Sequence, residues 1–192
     1  MELNKNLGEY NKENVGKAVS GQKVLGRNEK IFYNDELVGI EFPKGWDLFK
    51  ISNNLTDNRL PIAYSVFIPF DKEGPILMVN VRCAQEGESL EDAVSKRKRI
   101  MKRSEQDYEK GFKIVDINFD ESQETKLDKN NAMAWGCNIK TGQESIINDI
   151  NHKEVITVKD GKVYCVIYAT RTEIKEKHDG VYTEFIENLK IK

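Results

Sequence analysis

Histidine is almost missing from this chain: 2 in 192 residues. Both sit among polar neighbours, His152 between Asn151 and Lys153, and His178 between Lys177 and Asp179. Those surroundings predict exposed loop histidines. A Ser-His-Asp or Cys-His centre needs its imidazole held beside the nucleophile by a third group, so no such centre is expected. Cysteine is nearly as scarce, with Cys83, Cys137 and Cys165 far apart and no C-x-x-C pair. No two Cys or His have the short spacing of a structural zinc site. Each cysteine alternates with apolar residues (Val81, Trp135, Val163), which predicts buried, unreactive thiols and no disulfide. Long apolar runs are lacking too. The longest are 76–79 and 163–169, against the roughly 20 residues a spanning helix needs. Residues 1–30 contain no apolar core of a signal peptide. The sequence as given therefore reads as cytoplasmic, or as extracytoplasmic if a leader precedes Met1. An excess of one charge is also absent: Lys plus Arg is 30, Asp plus Glu is 32, and the net charge is −2. That balance argues against bulk nucleic-acid wrapping, and any electrostatic partner must be met by a local patch.

What is present is enough for a core. Hydrophobic residues make up 39% of the chain and aromatics 9%, too many for a disordered polymer. Residues 1–29 are polar and without period, and read as a flexible arm; 30–192 read as one domain. Within it, alternation predicts strands near 31–33, 37–42, 46–51, 63–68, 76–83 and 113–119, then 132–139, 144–150, 154–158 and 162–170. Asp160-Gly161 marks a hairpin, since both residues tolerate positive φ. Residues 163–168 are apolar on both faces, so this strand is expected to be central and covered twice. A long helix is predicted from 90 to 109, capped by Ser89 and stopped by Gly111, with Leu90, Ala93, Val94, Ile100, Met101 and Tyr108 on its apolar stripe. A second helix is expected near 181–189. Consecutive strands with two helices, rather than alternating β-α-β units, give an α+β class: a largely antiparallel central sheet flanked by helices.

The segment Gly39-Ile40-Glu41-Phe42-Pro43-Lys44-Gly45-Trp46 resembles the opening strand of the PsbP-like superfamily, although Pro43 follows Phe42 directly here. The strand opening Gly161-Lys162-Val163-Tyr164 and the closing helix and short finish, Phe185 to Ile191, are similar to that superfamily's end. Glu88-Ser89-Leu90-Glu91-Asp92 stands where its first long helix begins. The resemblance covers roughly Phe32 to Lys192. It implies an antiparallel sheet sandwiched between helices, a protein-binding or assembly role, and no shared catalytic residue.

Read for chemistry, the chain offers little. Gly16 and Gly21 have the separation of a phosphate loop, but Gln22 stands where its lysine is required. The acidic pairs Asp120-Glu121 and Glu173, Glu176 read as surface charge. No cofactor and no metal is expected. The sharpest feature is basic, Lys96-Arg97-Lys98-Arg99-Ile100-Met101-Lys102-Arg103. Arg97 falls in the apolar stripe. Lys96 is expected to pair with Asp92, and Arg103 with Asp107, four residues apart. Lys98, Arg99, Lys102 and Arg103 spread over the polar side as either a solvated face or a docking surface for an acidic protein or an anionic surface. Nucleic acid is disfavoured because no aromatic residues interleave with these bases. The expected function is a non-catalytic module that binds another protein. The alternative is a small-ligand protein or enzyme with a cleft near Trp46 or Trp135.

Overall fold

The computed structural model describes residues 30–51, 62–67, 74–103, 113–143 and 146–192. The arm 1–29 with its glycine pair, the end of the first helix beyond Arg103, Tyr108 and Gly111 lie outside the described residues. The chain opens with β1 (Lys30–Asn34), β2 (Val38–Pro43), β3 (Asp47–Ile51), β4 (Ile62–Phe67) and β5 (Ile76–Cys83). Helix α1 (Leu90–Arg103) follows, then β6 (Lys113–Phe119), β7 (Gln123–Leu127), β8 (Asn130–Gln143), β9 (Ile146–Lys159) and β10 (Lys162–Arg171). A 3-10 turn leads into α2 (Lys175–Asn188), and β11 (Lys190–Ile191) ends the chain. Eight strands form one sheet in the order β3-β4-β5-β10-β9-β8-β6, with β7 also paired to β8; β1, β2 and β11 form a smaller sheet. Every pairing among the described residues is antiparallel. This is the α+β class expected.

β10 organises the large sheet. Asp160 (φ 47°) and Gly161 (φ 71°) make the two-residue turn that joins it to β9. Residues 163–168 are all buried, as their doubly apolar pattern predicts. Tyr164, Val166 and Tyr168 pack with Tyr64, Val66, Leu77 and Val79 under the small sheet (Val38, Ile40, Phe42) and α2 (Phe185, Leu189). Val163, Cys165 and Ile167 face the other way and pack with Ala93 and Val94 of α1, Trp135 and Ile156. A third cluster, Met101 with Ile117, Cys137 and Ile139, continues under the same helix.

The small sheet is tied down by a charged turn. Asp35 Oδ1 accepts the backbone N–H of Leu37 (2.9 Å) and Val38 (3.0 Å). Its Oδ2 accepts Tyr33 Oη (2.9 Å), Tyr64 Oη (2.8 Å) and Lys50 Nζ (2.8 Å). Burial would raise this carboxyl, but the bonds from Lys50, Val38, Leu37 and Tyr64 outweigh it and hold it well below the usual range.

Several expectations are corrected. The turn expected at Asn151-His152-Lys153 does not exist: β9 is one strand of 14 residues. The two-residue turn fixes a register that keeps β9 paired with β10 as far as Ile150↔Arg171. His152 is therefore buried in the sheet, and His178 is buried in α2, rather than in exposed loops. Cys83 is exposed at the end of β5, opposite Lys162, while Cys137 and Cys165 are buried as expected. Ile100 is 48% exposed and leaves the apolar stripe, whereas Met101 is buried. α2 begins at Lys175 and not near Val181. β7 and β11, too polar or too short to show in the pattern, were not expected at all.

Candidate functional site

Helix α1 lies across the large sheet and is capped locally. Asp92 N–H donates to Ser89 Oγ, and Ser89 N–H donates to Asp92 Oδ2, both at 3.1 Å. Asp92 is thus engaged at the cap and does not pair with Lys96. Lys96 Nζ instead lies 4.0 Å from Glu88 Oε1, whose carboxylate is already held by Arg82 at 2.5 and 2.8 Å. The Arg82 bonds hold the Glu88 carboxyl down at about 2, against the effect of burial.

The basic run divides three ways. Arg97, in the apolar stripe, reaches into the sheet. Its Nε lies 3.0 Å from both oxygens of Glu154, and its Nη2 lies 2.6 Å from Glu154 Oε1. Glu154 is fully buried. It also meets His152 Nε2 at 2.6 Å and Cys165 Sγ at 3.4 Å. Burial alone would raise the Glu154 carboxyl; the bonds from His152 and Arg97 hold it below the carboxylate range. An ionised carboxylate only accepts, so His152 carries its hydrogen on Nε2. Lys98 and Lys102, four apart, lean over the flank toward β6 and β8. Lys98 Nζ donates to Ser122 Oγ (2.7 Å) and sits 5.6 Å from the Phe119 ring and 5.4 Å from the Trp135 ring. Lys102 Nζ lies 5.7 Å from the Phe119 ring. Lys96 and Ile100, also four apart, edge the opposite flank. Of the residues singled out from the sequence, Lys98 is half-buried and engaged, Arg99 and Lys102 are exposed, and the Arg103 side chain lies outside the described residues.

Between the Lys96–Ile100 flank and strands β5, β9 and β10 lies a cleft of about 280 Å³. Its polar lining is Asn80, Arg82, Lys96 and Arg97, and its apolar lining includes Ile156, Val163 and Cys165. Neither tryptophan named as a cleft marker lines it. Trp135 packs in the cluster beneath, and Trp46 packs in the core on the other side of the sheet.

The cluster below the cleft has the residue types of a thiol centre but not its chemistry. His152 addresses Glu154, not a cysteine. Burial and the Glu154 charge push the Cys165 thiol well above its ordinary value, and burial with Glu154 and Asp120 pushes Cys137 up to about 12. Both stay protonated and non-nucleophilic near neutrality. Among the described residues no group of three or more His, Cys, Asp or Glu is placed to hold a metal.

This layered arrangement has counterparts. It matches the solution structure of cyanobacterial PsbP (CyanoP) from Synechocystis sp. PCC 6803 with a TM-score of 0.65, 11% identity, and 91% of this chain on 99% of that one. The fold is PsbP-like. LpqN of Mycobacterium tuberculosis, described as involved in cell envelope biogenesis, aligns with a TM-score of 0.52 at 11% identity over 84% of this chain and 88% of its own. PA94 of Pseudomonas aeruginosa, a protein of unknown function, aligns with a TM-score of 0.51 at 10% identity over 85% and 97%. No family model and no curated protein matches the sequence. At such identities the likeness to PsbP-like proteins carries the fold and no residue role, and nothing in these neighbours points to catalysis. No described helix is long and apolar enough to cross a membrane.

Sequence reasoning missed Glu154, His152 and Glu88. Two signals were present. An arginine inside an apolar stripe needs a buried acid, because a desolvated guanidinium must be paired. The Asp160-Gly161 turn also fixes the register that sets Glu154 opposite Ile167, in the middle of the sheet.

Proposed function

We propose that this chain is a non-catalytic module that binds another protein, docking an acidic surface of its partner on the outer face of α1. The observation that carries this reading is exposed Ile100 beside exposed Arg99 and Lys102 on that helix. An apolar side chain rimmed by cations combines a desolvated anchor with charges that steer an acidic partner. Of the four basic residues read as a docking surface, Arg99 and Lys102 carry the interaction, with Arg103 expected to extend it. Lys98 serves the fold. Nucleic acid is disfavoured, since the rings near this run lie under Lys98 and Lys102 rather than open for base stacking.

The test is affinity capture from the native host with the parent and with the double variant Arg99→Glu, Lys102→Glu. The expected result is a set of proteins retained by the parent, released as salt rises and lost by the variant, with melting unchanged. Surface charges act over about 8–10 Å before salt screens them. An identical set captured by both would overturn the reading.

A further inference from the structure

The cleft on the other flank of α1 shares Ile100 with that docking face but neither Arg99 nor Lys102. Its walls are unlike a packing defect. An empty cavity in a core is normally apolar, whereas this one carries Asn80, Arg82, Lys96 and Arg97 above an apolar floor of Ile156, Val163 and Cys165. At about 280 Å³ it lies just under the usual size of ligand pockets, roughly 300 to 1,000 Å³, which suits a small ligand. A few convergent polar groups over an apolar surface is the composition such pockets have.

The charges decide what fits. Among the described residues, the cleft lining and its bonded partners hold the cations Arg82, Lys96 and Arg97 and the carboxylates Glu88 and Glu154. Glu88 is consumed by two short bonds from Arg82. Glu154 is consumed by Arg97, His152 and Cys165. Lys96 is left with a 4.0 Å approach to a carboxylate that already accepts three bonds, two from Arg82 and one from the Gln85 N–H. The bonds from Arg97 to Glu154 run through Nε and Nη2, Cys165 lies against the same guanidinium, and Arg97 lines the cleft. One positive charge is therefore in excess, with a guanidinium beside it.

We propose that this cleft binds a small monocarboxylate with a short apolar tail. The carboxylate sits between Lys96 and the cleft side of the Arg97 guanidinium, and the tail lies on Ile156, Val163 and Ile100. Single excess charge favours a carboxylate over a phosphate monoester, which carries about −1.5 to −2 at neutral pH. The planar guanidinium suits a carboxylate's two oxygens. Asn80, opposite Cys165 in the sheet, is the remaining polar group of the wall.

Titration of the isotope-labelled protein with octanoate, octanol and octyl phosphate, followed by backbone amide shifts, tests this. Octanoate is expected to bind with a dissociation constant of about 0.1–1 mM, a modest yield per atom for so small a ligand. Shifts should gather at β5, β10 and the Lys96–Ile100 flank. Octanol should bind at least about tenfold more weakly, the loss of one charge-assisted interaction of about 1.4 kcal/mol. Lys96→Met keeps the apolar stem of the lysine and should weaken octanoate about fivefold to tenfold without moving the melting temperature. The docking variant Arg99→Glu, Lys102→Glu should bind octanoate like the parent, which separates this site from the docking reading. Absence of saturable shifts, shifts gathered elsewhere, equal affinity for octanol, or an unchanged affinity in Lys96→Met would each overturn the site. Tighter binding of octyl phosphate than of octanoate would overturn the monocarboxylate.

Discussion

The two faces of the large sheet are built from the same strands by neighbouring residues, yet they differ in kind. On β5, Val79 and Val81 point into the core under the small sheet and α2, while Arg82 and Asn80 line the cleft beside α1. On β9, Val155 belongs to the first core and Glu154 to the polar cluster under α1. The first face is sealed by a larger apolar core and, at the Asp35 turn, by Tyr33, Tyr64 and Lys50 on that carboxylate. The second is held by one helix over two smaller apolar clusters, a buried ion pair and half-buried Lys98 over two rings. A face assembled only for stability would gain from apolar residues, since a buried pair gains little over a well-packed apolar replacement. A buried charged pair beneath a cleft is therefore what the proposed binding role of the α1 face draws on.

That contrast can be broken most forcefully at Glu154. Glu154→Ala leaves Arg97 without its partner in a largely desolvated site and is expected to cost about 3–5 kcal/mol in chemical denaturation. Leu77→Ala, on the apolar face, should fall in the cavity range of about 2–5 kcal/mol. If Glu154→Ala costs under about 1 kcal/mol, the pair is not what seats the helix.

Adjacent residues on α1 sharpen the same point. Met101→Asp buries an unpaired charge and should cost several kcal/mol, whereas Ile100→Asp should stay within about 0.5 kcal/mol because the side chain is exposed. Equal effects would return Ile100 to the apolar stripe where sequence periodicity placed it.

Acid should expose the difference in another way. Glu88, Asp35 and Glu154 all have carboxyls depressed in the folded state. The unfolded chain therefore binds protons first, so the stability these groups give is full above their ordinary values and lost as pH falls through the folded ones. For Glu88 that window runs from 4.5 down to about 2. Stability measured across this range should fall steadily, and Glu88→Gln should flatten the fall. A pH-independent melt would contradict the assignment.

How much of this was legible beforehand varies by element. β10, the Asp160-Gly161 turn and the cap at Ser89 were readable because each depends on a few adjacent residues. The α+β class followed from the order of strands and helices. β7 was not readable because it is too polar to alternate, although its partner follows directly; β11 is only two residues long and pairs with distant β2; and the polar middle of β9 is held in the sheet by its neighbours β8 and β10. The basic run misled through its own uniformity. Lys96, Arg97, Lys98 and Arg99 look alike in a string, but the helix sends them to a cleft edge, a buried acid, a pair of rings and solvent.

The thiols and Lys98 give the smaller effects. Cys83 should react quickly with a thiol reagent in the native protein, while Cys137 and Cys165 react only on unfolding. Lys98→Ala should cost about 0.5–1 kcal/mol through its ring and Ser122 contacts, against nothing measurable for Arg99→Ala.

The most direct test of the account is a double-mutant cycle between Arg97 and Glu154, read by chemical denaturation. The account predicts a coupling of about 1.5–3 kcal/mol, because each side chain is the other's principal charged partner across α1 and β9. Additive single effects, with coupling under about 0.5 kcal/mol, would contradict it and leave the α1 face as ordinary packing.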